Sequence, residues 1–188
     1  MNKLLLDLCS GMEGVSNVAR KLGWKTITVD INPEFNPDIC ADILQWEYIG
    51  ETPLVIWASP DCTQFAKDSF PKTWACNRIS PAKPDPALML ACKRIIDQVK
   101  PRFWIIENVR GSVKHFTPHL GDYNKKIGNQ YLWGNFPIFD TSAIFGKEKI
   151  GPCKNRPAIR SMIPEGITKS LLSQIEIILK NENQNNNL

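Results

Sequence analysis

The apolar positions change period several times along the chain, and those changes mark out the elements. Residues 3–9 are a short apolar run interrupted by Asp7, which predicts a buried strand. The run enters Gly11-Met12-Glu13-Gly14, after which Val15, Val18, Ala19 and Leu22 recur at helical spacing until Gly23 stops them. Thr26 to Val29 predicts a second strand, ending at Asp30. Strand, glycine turn, helix, strand is a βαβ unit, so the opening predicts a parallel sheet. The pattern repeats with a short strand at Ile39-Cys40-Ala41-Asp42 and a stronger one from Leu54 to Ala58. Residues 59–85 have few periodic apolars and prolines at 60, 71, 81 and 84, which predicts a long loop. Ala87 to Val99 has helical period with Pro86 near its first turn, and Phe103 to Ile106 predicts a strand ending at Glu107. Residues 111–157 read as irregular, and Ile167 to Leu179 as a final amphipathic helix. No internal repeat is visible.

Composition narrows the class. At 188 residues and 43% hydrophobic, the chain suits one domain, expected over residues 1–180. The Asn-rich tail, residues 181–188, has no means of packing and is expected to be disordered. No apolar run reaches the length of a membrane span, and the N-terminal apolar stretch is too short for a signal peptide. Six cysteines, at 9, 40, 62, 76, 92 and 153, form no CxxC pair, and there are two histidines. That spacing argues against a zinc site and a disulfide framework, and for free thiols in a reducing cytoplasm. The net charge of +4 is uneven: between Arg110 and Arg160, nine Lys and Arg face three Asp and Glu. A basic segment on a nearly neutral body suggests a polyanionic partner, nucleic acid first, with an ordinary solvated surface as the alternative.

Ligands of open parallel sheets sit beyond the carboxyl ends of the strands, and here those ends carry the unusual residues. They are the glycine turn, Asp30, Asp42, Pro60-Asp61-Cys62 and Glu107-Asn108. Gly11 permits a tight turn against a ligand, and Asp30, nineteen positions later, could accept hydrogen bonds from ribose hydroxyls. The full G-x-G-x-x-G pattern is absent, which counts against a dinucleotide. The commonest fate of a free cysteine is burial as a small hydrophobe, and that reading is kept for Cys9, Cys40, Cys76, Cys92 and Cys153. Cys62 follows Ser-Pro-Asp in a polar loop, and Glu107 ends an apolar strand; together they form a candidate nucleophile and acid pair. His115 and His119 flank Pro118 without further ligands nearby and read as surface or phosphate-facing residues.

Four segments occur in a telling order: LDLCSGMEGVS (6–16), VDINPEFNPDICADIL (29–44), WASPDCTQF (57–65) and IIENVRG (105–111), with YLWGNFP (131–137) and RSMIP (160–164) after them. Over about residues 3–180 the chain resembles the compact C5 cytosine-specific DNA methyltransferases common in phages. The resemblance implies a Rossmann-like class I methyltransferase fold, α/β with a mainly parallel sheet, helices on both faces and a reduced target-recognition region at 112–157. It implies S-adenosyl-L-methionine as cofactor, contacted by Cys9, Ser10, Gly11, Met12 and Gly14. Asp30 with Ile31 would take its ribose, Asp42 with Ile43 its adenine, and Pro60 would complete the site.

By the same resemblance, Cys62 would attack C6 of cytosine while Glu107 holds the N3 edge. The partner would be DNA, with the base flipped from a duplex or taken from a single strand, and no metal or membrane. Asn108, Arg110, Lys67, Lys125, Lys126 and Arg156 would contact it, and the 63–80 loop, with Phe70, Lys72, Trp74 and Arg78, would close over the base. Three features depart from the family. Asp61 replaces a second proline and is expected to raise the Cys62 pKa. Cys9 and Glu13 replace a phenylalanine and a glycine, and the Gln-x-Arg-x-Arg motif is missing. Two other readings stay open: a protein that keeps the fold without turnover, and a cytosine methylase of RNA or free nucleotides.

Overall fold

A computed structural model describes residues 3–68, 84–142 and 163–185. Its strands are β1 (Leu4–Leu8), β2 (Lys25–Asp30), β3 (Ile39–Cys40), β4 (Val55–Ala58), β5 (Phe103–Val109), β6 (Lys125–Ile127) and β7 (Gln130–Asn135). Its α-helices are α1 (Gly14–Lys21), α2 (Thr63–Asp68), α3 (Ala87–Val99), α4 (Val113–Leu120) and α5 (Glu165–Asn185). The strands make one seven-stranded sheet in the order β3-β2-β1-β4-β5-β7-β6. β3 to β5 are parallel, and the β6–β7 hairpin joins antiparallel.

Alternation along the strands divides the core in two. Leu5, Trp57, Ile105 and Leu132 face Val15 and Ala19 of α1 and Leu171, Leu172 and Ile175 of α5. Leu6, Ile56, Ile106 and Trp133 face Phe65 of α2, Met89, Cys92 and Ile95 of α3, and Phe116 of α4. Both sheet faces are therefore covered by helices, and the ligand side is left at the carboxyl ends of the strands.

Four segments differ from their pattern-based expectation, each through a contact remote in sequence. β5 does not end at Glu107 but runs to Val109, because β7 supplies an antiparallel partner: Glu107 pairs with Leu132, Asn108 with Tyr131 and Val109 with Gln130. Gly134 permits that approach, since a Cβ there would sit 2.0 Å from the Trp104 carbonyl oxygen. The segment read as irregular thus holds α4 and a hairpin, with Phe116 and Leu132 fully buried. α2 occupies the start of the expected 59–85 loop. α5 runs past Leu179 to Asn185, into the segment expected to lack structure, and Glu182 there pairs with Arg102.

Candidate active site

The turn after β1 is wound by three left-handed residues, Cys9 (φ 57°), Gly11 (φ 49°) and Glu13 (φ 56°). A residue with a Cβ pays for that conformation, so Cys9 and Glu13 are strained. Among the described residues, nothing lies within 4 Å of where a Gly11 Cβ would be. Asp30 at the end of β2 fixes its shape: Oδ2 accepts from the Gly11 N–H at 2.8 Å and Oδ1 from the Asn32 N–H at 2.9 Å. Each oxygen keeps a second acceptor position. Among the described residues the buried Ser10 hydroxyl has no hydrogen-bond partner, and Ile31 beside Asp30 is 65% exposed. Met12 is half-buried, and Gly14 begins α1.

Asp42 caps the next turn by accepting from the Leu44 N–H, and Ile43 is buried behind it. The carbonyls of Ile43 and Trp46 both accept from Arg94 of α3, which holds this loop in place. Arg94 was not singled out from the sequence. Its signal was a cation, next to Lys93, within the buried stripe Ala91, Cys92, Ile95 and Ile96.

The second half of the site is at the ends of β4 and β5. The parallel ladder between them stops at Ala58 and Ile106, while β5 continues. Glu107 therefore stands one residue beyond the last pair, on a strand whose β4 flank has ended. Asn108, fully buried, donates to the Pro60 carbonyl at 2.8 Å and accepts from the Val109 N–H. That bond pins the Pro60-Asp61-Cys62 loop to β5. Asn108, expected to touch substrate, thus occupies a supporting position under the loop.

Burial dominates the electrostatics of this corner. It pushes the Glu107 carboxyl up to about 8, so the group is mostly protonated at neutral pH. It also pushes the Cys62 thiol up to about 11, with the Glu107 and Asp61 charges adding in that order. Asp61 comes after burial and Glu107 among the causes that raise the thiol, and its Oδ1 accepts from the Thr63 N–H and hydroxyl, at 3.2 and 2.7 Å, opening α2. The Cys9 thiol is also raised well above its ordinary value, by a hydrogen bond with the Cys92 thiol and by burial. Under the turn, Asp7 is pushed up to about 7 by burial, partly offset by the Ser16 hydroxyl at 2.7 Å.

The expected DNA-contacting residues that the structure describes lie on several elements. Arg110 is exposed just beyond β5. Lys125 is tied down on β6, donating to the Phe139 carbonyl at 2.7 Å with its ammonium over the Phe139 ring. Lys126 is exposed and lies over Tyr131. His115 packs against Phe65, with ring centroids 5.5 Å apart, rather than standing on the surface, and His119 is exposed. Lys67 lies on α2, whereas Arg156, Cys76, Cys153, Phe70, Lys72, Trp74 and Arg78 fall outside the described residues. Among the described residues there is no cluster of metal-ligating side chains and no helix long and apolar enough to cross a membrane. A cleft of about 600 Å³ lies at the opposite, amino ends of β1 and β2, beside Leu4, Lys25, Trp46 and Tyr48.

No protein-family description and no curated protein sequence matches the chain. Solved structures do. A DNA modification methyltransferase encoded within an E. coli prophage is similar with a TM-score of 0.51 at 18% identity, over 79% of this chain and 52% of that one. The Entamoeba histolytica methyltransferase EhMeth is similar with a TM-score of 0.50 at 14% identity, over 80% of this chain and 58% of that one. The fold is thus the Rossmann-like methyltransferase fold. The chain spans little more than half the length of these two structures.

Proposed function

We propose that this chain is a DNA cytosine-5 methyltransferase that uses S-adenosyl-L-methionine and acts through Cys62 and Glu107. The observation that carries the reading is the convergence of these two groups at adjacent strand ends, with Asn108 bridging the loop of one to the strand of the other. The Glu107 charge also raises the Cys62 pKa, which supports a shared corner for the two groups.

The turn of residues 9–14 suits the cofactor. Among the described residues, it offers open space at Gly11, an unpartnered hydroxyl at Ser10, spare acceptor positions on Asp30 and an exposed apolar surface at Ile31 for a base. When bound, S-adenosyl-L-methionine would supply an electrophilic methyl group. The protein's part is to make an aromatic carbon nucleophilic. The Cys62 thiolate adds at C6, opening the 5,6 double bond and sending electron density toward C5 and N3. Glu107, neutral at pH 7, gives its proton to N3 and disperses the charge. Methylation of C5 would break the sulfonium–methyl bond and leave a neutral thioether. Solvent water then takes the C5 proton, the C5–H electron pair restores the 5,6 double bond, the C6–S bond breaks to release Cys62 as thiolate, and the N3 proton returns to Glu107.

Incubation with labelled cofactor and DNA should yield 5-methylcytosine in the digest. Absence of product on many DNA sequences, with no cofactor binding, would reject the reading. A second reading, a protein that keeps the fold without turnover, is favoured by the Cys62 thiol at about 11. An RNA or a free cytidine nucleotide as acceptor keeps the chemistry, and activity compared on nucleotide, single strand and duplex separates these substrates.

A further inference from the structure

The geometry points to Glu13 and Arg20 as positioning residues that clamp the 9–14 turn against β2 in the shape that receives the cofactor, an inference that rests on the cofactor reading above. Glu13 holds a left-handed conformation, φ 56° and ψ 33°, at the start of α1. A side chain rarely tolerates that backbone without compensation, and here the compensation is visible. Glu13 Oε2 accepts from Arg20 Nη1 at 2.5 Å, and Oε1 accepts from the Thr28 hydroxyl at 3.0 Å. Arg20, at the far end of α1, also donates through Nε to the Thr26 hydroxyl at 2.8 Å.

The turn is thus tied to β2 at Thr26 and Thr28, on the strand that delivers Asp30 two residues later. Asp30 is in turn the carboxylate that receives the Gly11 N–H. Each end of the turn therefore meets the same strand, one through Gly11 and Asp30 and the other through Glu13 and Thr28. A glycine at position 13 would take the same backbone freely but would make neither side-chain bond. Glu13 exchanges that freedom for a fixed turn. Arg20 makes the exchange possible by supplying a charged donor to a half-buried carboxylate.

The test pairs cofactor binding with a measurement on the protein alone. Calorimetry with S-adenosyl-L-methionine should show Glu13→Ala and Arg20→Met each weakening affinity by about five- to thirtyfold, as loss of a charge-assisted hydrogen bond does. The double variant should lose less than the product of the two single losses, because the Glu13–Arg20 link is removed in each, while Glu13→Ala also loses Thr28 and Arg20→Met also loses Thr26. Glu13→Gln keeps an acceptor oxygen and should stay within about threefold of the original. In turnover, the KM for the cofactor should rise more than kcat falls. Without cofactor, the Gly11 and Glu13 amides should exchange hydrogen faster in the Ala and Met variants only.

Unchanged affinity and exchange in those variants, with a wild-type protein that binds, would overturn the clamp and leave the cofactor reading intact. Equal losses in all variants, Glu13→Gln included, would overturn it in favour of a general structural role. No binding by wild-type protein would overturn the cofactor reading and the clamp with it.

Discussion

The two halves of the candidate site are built on opposite principles. Around the 9–14 turn, the carboxylates are held by specific hydrogen bonds: Asp30 by the Gly11 and Asn32 amides, Glu13 by Arg20 and Thr28. At the β4–β5 corner, Glu107 and Cys62 are instead held in dry surroundings, and burial is the largest influence on both. A carboxylate that accepts N–H bonds is fixed in orientation, and its spare acceptor positions suit the holding of hydroxyls. A desolvated carboxyl keeps its proton and can hand it over. On the proposed function, the difference suits one half to binding and the other to proton transfer.

The largest test of that contrast removes the sulfur. Cys62→Ser should reduce methyl transfer on the order of a thousandfold or more, while cofactor affinity, measured by calorimetry, stays put. If both fell together, the halves would not be separable. Next comes Glu107→Gln, expected to lower kcat by about a hundredfold or more through loss of the acid. Because the Glu107 charge raises the Cys62 pKa, the same change should shift the pH midpoint of Cys62 alkylation downward.

The pH profile sharpens the contrast further. The active form pairs a Cys62 thiolate with a protonated Glu107, and the thiol titrates near 11 while the carboxyl titrates near 8. With the order reversed in this way, kcat/KM should climb about tenfold per pH unit up to about 8 and then level off. A profile already flat from pH 6 would contradict it.

The smallest expected effect concerns stability. Asp7 holds its proton in the folded protein up to about pH 7, whereas an unfolded aspartate releases it near 3.8. The unfolded state therefore binds fewer protons between these values, and stability contributed by Asp7 falls as pH rises through that window, by on the order of 1 kcal/mol per unit. Asp7→Asn should flatten the fall, read as denaturation midpoints between pH 4 and 8.

The βαβ opening, the parallel sheet and the positions of Asp30, Cys62 and Glu107 were legible because each follows a local change of period or a turn residue. The extension of β5 was not, because it depends on pairing with a strand more than twenty residues away. The supporting places of Asn108 and Lys125 were hidden for the same reason, since their partners, Pro60 and Phe139, lie 48 and 14 residues distant. Asp61 was correctly expected to raise the Cys62 thiol, but burial and Glu107, whose nearness depends on the β4–β5 pairing, are the larger causes.

The most direct measurement is mass spectrometry of the protein after incubation with cofactor and duplex or single-stranded DNA containing 5-fluorocytosine. Fluorine at C5 blocks the final elimination, so a working thiol is trapped on the base. The account predicts a stable adduct on the Cys62 peptide that is lost in Cys62→Ser. DNA and cofactor binding without any adduct would contradict it.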